Sequence, residues 1–356
     1  MLLYMHIPFC DSKCYYCAFN SYVSMFHLKN DYMKALTKQL QNDIDNYLKN
    51  SDKKLETIFI GGGTPSCLDV SYYEEVFTIL KPYITPQTEI TTEANPNSAT
   101  KEWLSGMQNL GVNRVSFGVQ SFDDTKLKQL GRAHNKEQAI KALQVAKELK
   151  FDSVNCDFIY GVQNDTFDLI CKDLDIAKSL DVEHISAYSL TIEEGTKFFN
   201  KSSIKIDDEE LSKKVFNYLQ NLGFTQYEIS NFSQEKKFQS KHNFGYWQHK
   251  EYLGIGAGAV GFVNQQRRYP LKDINEYIQK PLEHVVENLS HDDIKVEKVL
   301  LGLRSNCGFS KSILTSFEQE KVAFLIEEKK LISKKNSIYN KNFLLADELA
   351  LYILDS

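Results

Sequence analysis

The strongest constraint on the fold is a sixfold alternation between short β-branched or aromatic runs and longer stretches with apolar residues at helical spacing. Such runs predict strands, and such stretches predict helices. Strands that alternate with helices form parallel sheets, because each helix returns the chain across the sheet before the next strand begins. The sequence therefore predicts an α/β protein with a largely parallel sheet.

The predicted strands are Leu2 to Ile7, Thr57 to Ile60, Glu89 to Glu93, Arg114 to Gly118, Ser153 to Ile159 and His184 to Leu190. The predicted helices are Asp31 to Leu48, one opened by a capping box of Ser71 and Glu74, Ser98 to Leu110, Asn135 to Leu149 and Phe167 to Leu180.

The alternation stops after Gly195, where we predict that the barrel-like region ends. Residues 1–195 are then a first domain, and residues 196–290 an extension rich in aromatic residues and glycine. Residues 291–356 combine helices with a Lys/Asn-rich hairpin, which predicts a small winged-helix-like unit.

The composition and the first residues indicate which kinds of partner and which cellular compartment to expect. Lys and Arg total 42 against 47 Asp and Glu, for a net charge of −5, which disfavours nucleic acid as a partner even with a winged-helix-like unit. No stretch approaches the ~20 apolar residues of a membrane-spanning helix. The first residues also lack a secretory signal pattern, so we expect a cytoplasmic protein.

Several predicted strands finish in a polar residue or a glycine turn. In barrels of parallel strands the active site lies at the carboxyl ends of the strands, so these residues are expected to converge on one mouth. They are Gly61 to Gly63, Glu93, Gln120, Asp157 and Tyr188.

Three cysteines on one loop suggest a metal centre. Cys10, Cys14 and Cys17 follow the first strand within eight residues, close enough to bind one centre. Structural zinc normally takes four ligands, and a second CxxC or CxxH pair is missing, although His6 could supply a fourth ligand. A 4Fe-4S cluster held by three thiolates leaves one iron open, and an open iron can bind a further ligand.

The pattern Cys-x3-Cys-x2-Cys, followed by Gly61-Gly62-Gly63-Thr64-Pro65 after the next strand, resembles the radical S-adenosylmethionine (SAM) enzymes. The resemblance implies a partial (β/α)6 TIM-like barrel with a C-terminal α/β extension. It also implies a 4Fe-4S cluster whose open iron chelates SAM, and an electron donor to that cluster. In that family, electron transfer cleaves SAM to methionine and a 5′-deoxyadenosyl radical.

Further segments between residues 4 and 188 are similar to the oxygen-independent coproporphyrinogen III oxidase family, among them Thr92 to Pro96 and Asn155 to Gly161. Arg132 can pair with a carboxylate, although a surface salt bridge is the alternative. Carried over by position, the resemblance implies SAM contacts from Tyr4, Tyr16, Gly62, Gly63, Thr64, Glu93, Gln120, Arg132 and Asp157.

Two features separate the branches of that family. The oxidases carry a fourth cysteine two residues after the triad, where this chain has Phe19. The HemW-type haem chaperones lack that cysteine and carry His-Asn-x-x-Tyr-Trp, which this chain has at His242 to Trp247.

The resemblance to the chaperones implies haem binding and transfer to haem-accepting apoproteins, with an exposed His242 as candidate iron ligand. The alternative is a coproporphyrinogen III oxidase that decarboxylates two propionates. The sequence leaves open whether the protein is an enzyme and whether it forms a homodimer.

Overall fold

The computed structural model describes residues 1–49, 52–206 and 208–355. Six parallel strands form the middle of a twelve-stranded sheet, and all six match predicted strands. They are β1 (Leu2–Ile7), β2 (Thr57–Gly62), β3 (Glu89–Ala94), β4 (Arg114–Gln120), β5 (Ser153–Tyr160) and β6 (His184–Ser189).

Helices connect these strands and cover one face of the sheet. In the first helix Leu36, Leu40 and Ile44 recur at helical spacing and belong to one continuous core with the strands. The helices of this part are α1 (Lys29–Tyr47), α2 (Ser71–Leu80), α3 (Lys101–Asn109), α4 (Asp124–Leu130), α5 (Lys136–Glu148) and α6 (Phe167–Ser179).

Capping boxes occur at other helices than the one for which the sequence predicted a box. Asn135 and Gln138 form a capping box at the start of α5. The capping box predicted from Ser71 and Glu74 is wrong, because the residue before α2, Val70, already has a helical backbone (φ −55°, ψ −35°) and no side chain caps the helix. A capping residue needs an extended backbone, so Ser71 lies one position too far inside the helix.

The sheet continues past Gly195 on both sides, which the sequence did not predict. β9 runs parallel to β1, with Leu2 opposite Tyr252. Gly254 on β9 is required by close packing, since a Cβ atom there would lie 2.1 Å from the carbonyl oxygen of Val260. The added strands are β7 (Thr225–Gln226), β8 (Asn231–Ser233), β9 (Tyr252–Ile255), β10 (Gly261–Val263), β11 (Gln266–Pro270) and β12 (His284–Asn288).

The described strands form an open, partial barrel, because the two edge strands β12 and β7 do not pair with each other. Three helices accompany the added strands: α7 (Glu209–Asn221), α8 (Lys241–Trp247) and α9 (Ile274–Gln279). The α/β class with a partial barrel and a C-terminal α/β extension is confirmed, whereas the domain boundary at residue 195 stays a prediction.

The last part of the chain has its own three-stranded sheet and its own core, which contains Val299, Phe309, Val322 and Ile353. The predicted hairpin is present as the last two strands of this sheet. The elements are α10 (His291–Leu303), β13 (Phe309–Ser310), α11 (Ser316–Glu327), β14 (Leu331–Lys334), β15 (Ser337–Asn340) and α12 (Ala346–Leu354). This order is winged-helix-like, and the boundary at residue 290 stays a prediction.

None of the helices in the described ranges has the length and apolar character needed to cross a membrane.

Candidate functional site

The cysteine loop follows β1 at the carboxyl end of the sheet and is fixed by its own polar contacts. The Lys13 ammonium donates to the carbonyl oxygen of Phe19 and to the hydroxyl of Ser21, both at 2.7 Å. The backbone N–H of Tyr15 donates to the carbonyl of Leu130 at 3.0 Å, which ties the loop to the end of α4. These hydrogen bonds connect the cysteine loop to itself and to the end of α4.

The thiols of Cys10, Cys14 and Cys17 line one cavity and are free of disulfides. Cys10 Sγ lies 3.3 Å from the Thr64 hydroxyl, and Arg132 Nη1 donates to Cys14 Sγ at 3.1 Å. Within the described ranges no three His, Cys, Asp or Glu side chains converge closely enough to hold a single metal ion. In a 4Fe-4S cluster each thiolate binds a separate iron, and three thiols on one loop fit such a cluster.

The glycine run after β2 packs against the exit of β1. Gly62 has a φ of +117°, which favours glycine, and its N–H donates to Glu93 Oε2 at 3.0 Å. A Cβ atom on Gly63 would lie 2.7 Å from the carbonyl oxygen of Phe9. Glycine is needed here to bring the loop after β2 against the cysteine loop, in addition to any approach to a ligand.

The cavity beside the cysteines, here called the outer cavity, has a volume of about 490 Å³. Tyr4 lies elsewhere, in the wall of a neighbouring cavity, with its hydroxyl 2.9 Å from His6 Nδ1. The other predicted SAM-contacting residues all line the outer cavity: Tyr16, Gly62, Gly63, Thr64, Glu93, Gln120, Arg132 and Asp157.

Two carboxyl groups give the outer cavity its electrostatic character. Burial, reinforced by the charge of Asp157, raises the pKa of Glu93 to about 8, although the Gly62 N–H partly offsets the shift. Burial also raises the pKa of Asp157, which accepts a hydrogen bond from Asn155 Nδ2 at 2.6 Å. Neither carboxylate pairs with a cationic side chain in the part of the chain that the structure describes. SAM carries an ammonium and a sulfonium, so it fits this wall.

Arg132 forms no salt bridge with any residue that the structure describes. Its Nη2 donates to Asn95 Oδ1 at 2.7 Å and to the carbonyl of Gly118, while its Nε is buried without a partner. Gln120 has a φ of +68°, which is uncommon for a residue other than glycine, and it lies where the β4–β5 register shifts. The cavity wall thus contains both an unpaired polar atom and a strained backbone.

A second cavity, here called the inner cavity, has a volume of about 670 Å³ and lies between the inward face of the sheet and helices α8 and α10. Much of its wall is a polar row that sequence reasoning missed. The signal was a period of two residues along the strands, which places alternate side chains on one face. The row comprises Thr91, Arg114, Ser116, Asn155, His184 and Ser186.

His242 lies in the wall of the inner cavity, but the expectation of an exposed imidazole is wrong. The side chain is buried and stacks on Phe59, with ring centroids 5.0 Å apart. Its Nδ1 lies 2.7 Å from the Thr57 hydroxyl and its Nε2 lies 2.9 Å from the Tyr246 hydroxyl. Burial lowers the pKa of His242 to about 3. The sequence motif alone did not indicate this burial, which depends on packing against β2.

The two cavities meet at a shared wall. Phe19, whose side chain is 68% exposed, lies at this junction. The position that holds the fourth cysteine in the oxidases therefore faces both cavities in this chain. The side chains that line both cavities are Phe19, Glu93, Ser116, Asp157 and Tyr188.

Comparisons with known proteins agree on one family. Residues 4–177 match the model of the radical SAM superfamily. The chain is 33% identical over 324 residues to the heme chaperone HemW of Bacillus subtilis, covering 86% of this chain and 84% of the relative. It is 32% identical over 357 residues to the heme chaperone HemW of Lactococcus lactis, covering 94% and 92%.

Among solved structures, the coproporphyrinogen III oxidase HemN of Escherichia coli, a radical SAM enzyme, superimposes with a TM-score of 0.82. The match covers 99% of this chain and 89% of that chain at 20% identity. At this identity the likeness concerns the fold.

Proposed function

This chain belongs to the heme chaperone HemW family, within the radical SAM superfamily, and on that premise we propose that it binds haem and delivers it to apoproteins that require it. The observation that carries the proposal is the identity of 33% and 32% to two curated chaperones across 86% and 94% of the chain. Phe19, at the junction of the cavities, supports it, because the oxidase branch has a cysteine at that position.

We propose that Cys10, Cys14 and Cys17 hold a 4Fe-4S cluster and that the outer cavity holds SAM. When bound, these two groups together supply one-electron chemistry. The carboxylates of Glu93 and Asp157 would attract the cationic groups of SAM, and Tyr16 would offer its ring to the adenine. Tyr4 remains a proposed SAM contact, although its side chain lines the neighbouring cavity and SAM would have to extend to it.

The inner cavity is our proposed haem site. Its volume of about 670 Å³ lies within the range of roughly 300–1,000 Å³ for small-molecule sites. Its wall carries the aromatic rings of Phe59, Tyr188, Tyr252 and Phe262, which offer flat apolar faces to a macrocycle. His242 remains the candidate iron ligand, but coordination through Nε2 would require it to give up its hydrogen bond to Tyr246.

We further propose a cytoplasmic protein whose cluster receives electrons from an external donor. Thiolates that bind iron must stay reduced, and the reducing cytosol maintains free cysteines such as the seven in this chain.

The function is tested on anaerobically reconstituted protein. We expect a Soret shift on haem titration, transfer of haem to an added haem-free globin, and no decarboxylation of coproporphyrinogen III with SAM and a reductant. Formation of protoporphyrinogen at enzymatic rates would instead establish the oxidase function. A protein that does not bind haem, with its cluster intact, would overturn the chaperone proposal.

A further inference from the structure

One cation in the wall of the inner cavity differs from the others. Arg114 begins β4 with its side chain on the inward face, and the residue is 4% exposed. Its Nη1 donates to the Ser153 hydroxyl at 2.7 Å and to the carbonyl of Phe238 at 2.8 Å. Both acceptors are neutral, so the positive charge is buried without a compensating negative charge from either of them.

The other basic side chains in this wall all have carboxylate partners. Arg267 donates to both oxygens of Glu297 at 2.7 and 2.9 Å, Arg304 lies 2.6 Å from Asp347, and Lys250 pairs with Glu56. Arg114 forms no ion pair with any residue that the structure describes. The charge of Arg114 acts on the Asp157 carboxyl group across the cavity without forming an ion pair, so a buried guanidinium in this position is stabilised further when an anion enters the cavity.

A second group beside Arg114 also lacks a partner. Thr91 on β3 is opposite Arg114 in the β3–β4 register and lines the same cavity. It is fully buried, and its Oγ1 has no hydrogen-bond partner. A buried hydroxyl without a partner is uncommon in folded proteins, so a ligand atom is a natural acceptor or donor for it.

Two carboxyl groups flank Thr91 on β3, and neither forms an ion pair with Arg114 among the described residues. Glu89, two residues before Thr91, already accepts hydrogen bonds from the backbone N–H groups of Lys241 and His242 at 3.0 Å. Glu93, two residues after Thr91 and therefore about 7 Å along the strand, faces the junction with the outer cavity. Arg114 attracts a ligand carboxylate, whereas the carboxyl group of Glu93 offers it no positive charge.

We propose that Arg114 and Thr91 form a carboxylate-binding subsite that holds a propionate of a tetrapyrrole in the inner cavity. This proposal rests on the proposed haem-binding function and adds an orientation to it. The planar guanidinium suits a carboxylate, and the Thr91 hydroxyl can donate to one of its oxygens. The positive charge of Arg114 at one end of the cavity would select one orientation of the macrocycle.

The test compares haem with haem dimethyl ester, which has the same ring but no carboxylates, by anaerobic Soret titration. We expect wild-type protein to prefer haem by about tenfold or more. In Arg114→Gln this preference should disappear because haem binding weakens while ester binding does not change. Thr91→Val, which preserves side-chain volume, should reduce the preference by about threefold.

Arg304→Gln is the matched control, since Arg304 lines the same cavity but is paired with Asp347. We expect it to retain the wild-type preference. The subsite is refuted if Arg114→Gln keeps that preference, or if Arg304→Gln loses it.

Should Arg114→Gln fail to fold, Thr91→Val decides, and an unchanged preference in that variant also refutes the subsite. Absence of binding to both haem and its ester in wild-type protein is a separate result, because it contradicts the proposed function itself.

Discussion

The outer and inner cavities share a wall but differ in how their polar groups are paired. In the outer cavity Glu93 and Asp157 face the space without a cationic partner in the described ranges. In the inner cavity both ring nitrogens of His242 have hydrogen-bond partners. Most Arg and Lys side chains in its wall form an ion pair with a carboxylate. Arg114 and Thr91 are the exceptions.

The difference between the cavities concerns the residues that are left without a protein partner. Burying a charge or a hydrogen-bonding group without a partner costs free energy, so an unpaired buried group is retained where something else pairs with it. A fully paired group such as His242 already contributes to folding. We therefore expect changes at the unpaired groups to affect ligand binding first, and changes at the paired groups to affect folding first.

The largest expected effect comes from Glu93→Gln, which tests the outer cavity. We expect SAM affinity to fall by about 100-fold, because a carboxylate facing a cation is removed. The stability of the SAM-free protein near pH 7 should stay the same or rise, because buried Glu93 must take up a proton on folding, whereas glutamine carries no titratable group. Calorimetric SAM titration and denaturant unfolding measure the two effects.

Asp173→Asn is the matched control for that variant. Asp173 is also buried, but it accepts hydrogen bonds from the Ser121 hydroxyl at 2.6 Å and the Phe122 N–H at 2.7 Å. It should lose about 1–3 kcal/mol of stability and keep its SAM affinity. If the two variants behave alike, the distinction between a carboxyl group that faces the cavity and one that is held by two protein donors is wrong.

A residue with all its polar atoms paired should affect stability more than ligand binding when it is replaced. His242→Ala removes the partner of the Thr57 and Tyr246 hydroxyls and the stack on Phe59, so we expect a loss of about 2–3 kcal/mol in the free energy of unfolding. The exposed His291 provides the control, as His291→Ala should change stability little. Unchanged stability in His242→Ala, with haem binding abolished, would instead make iron coordination its main role.

Folding stability and SAM affinity should both depend on pH through Glu93. The pKa of Glu93 is raised from 4.5 to about 8 by burial and by Asp157, and the other titratable group that faces it is Tyr4. Because the folded state binds this proton more tightly than the unfolded state, the stability that protonated Glu93 contributes to SAM-free protein is complete below pH 4.5. It is lost as the pH rises towards 8. SAM affinity should change in the opposite direction, rising by at most about tenfold per pH unit below 8, because the ionised form attracts the cation.

Titrations of SAM between pH 6 and 8 measure this trend, and Glu93→Gln should flatten it. An equal slope in the variant and the wild type would assign the pH dependence to another group.

The smallest effect is expected at the junction of the cavities. Phe19 is 68% exposed, so Phe19→Cys should change stability by no more than about 0.5 kcal/mol. We also expect no coproporphyrinogen decarboxylation, because the rest of the chain is of the chaperone type. Enzymatic protoporphyrinogen formation by this variant would show that the missing cysteine alone separates the two branches.

Local sequence was sufficient for the elements that build the outer cavity. Each predicted strand from β1 to β6 begins at the residue predicted, and the cysteine loop, the glycine run and the polar strand ends lie around one space. These elements could be predicted because strand periodicity and turn residues depend only on residues close in the sequence. Parallel strands then bring their carboxyl ends to the same edge of the sheet.

The tertiary structure alone decided the inner cavity and the extent of the sheet. β9 pairs with β1 although about 250 residues separate them, and His242 is buried because α8 packs against β2. The unpaired state of Arg114 is also visible only once every neighbour is in place. Sequence periodicity determines which face a side chain occupies, whereas burial and pairing depend on segments distant in the chain, which no local pattern encodes.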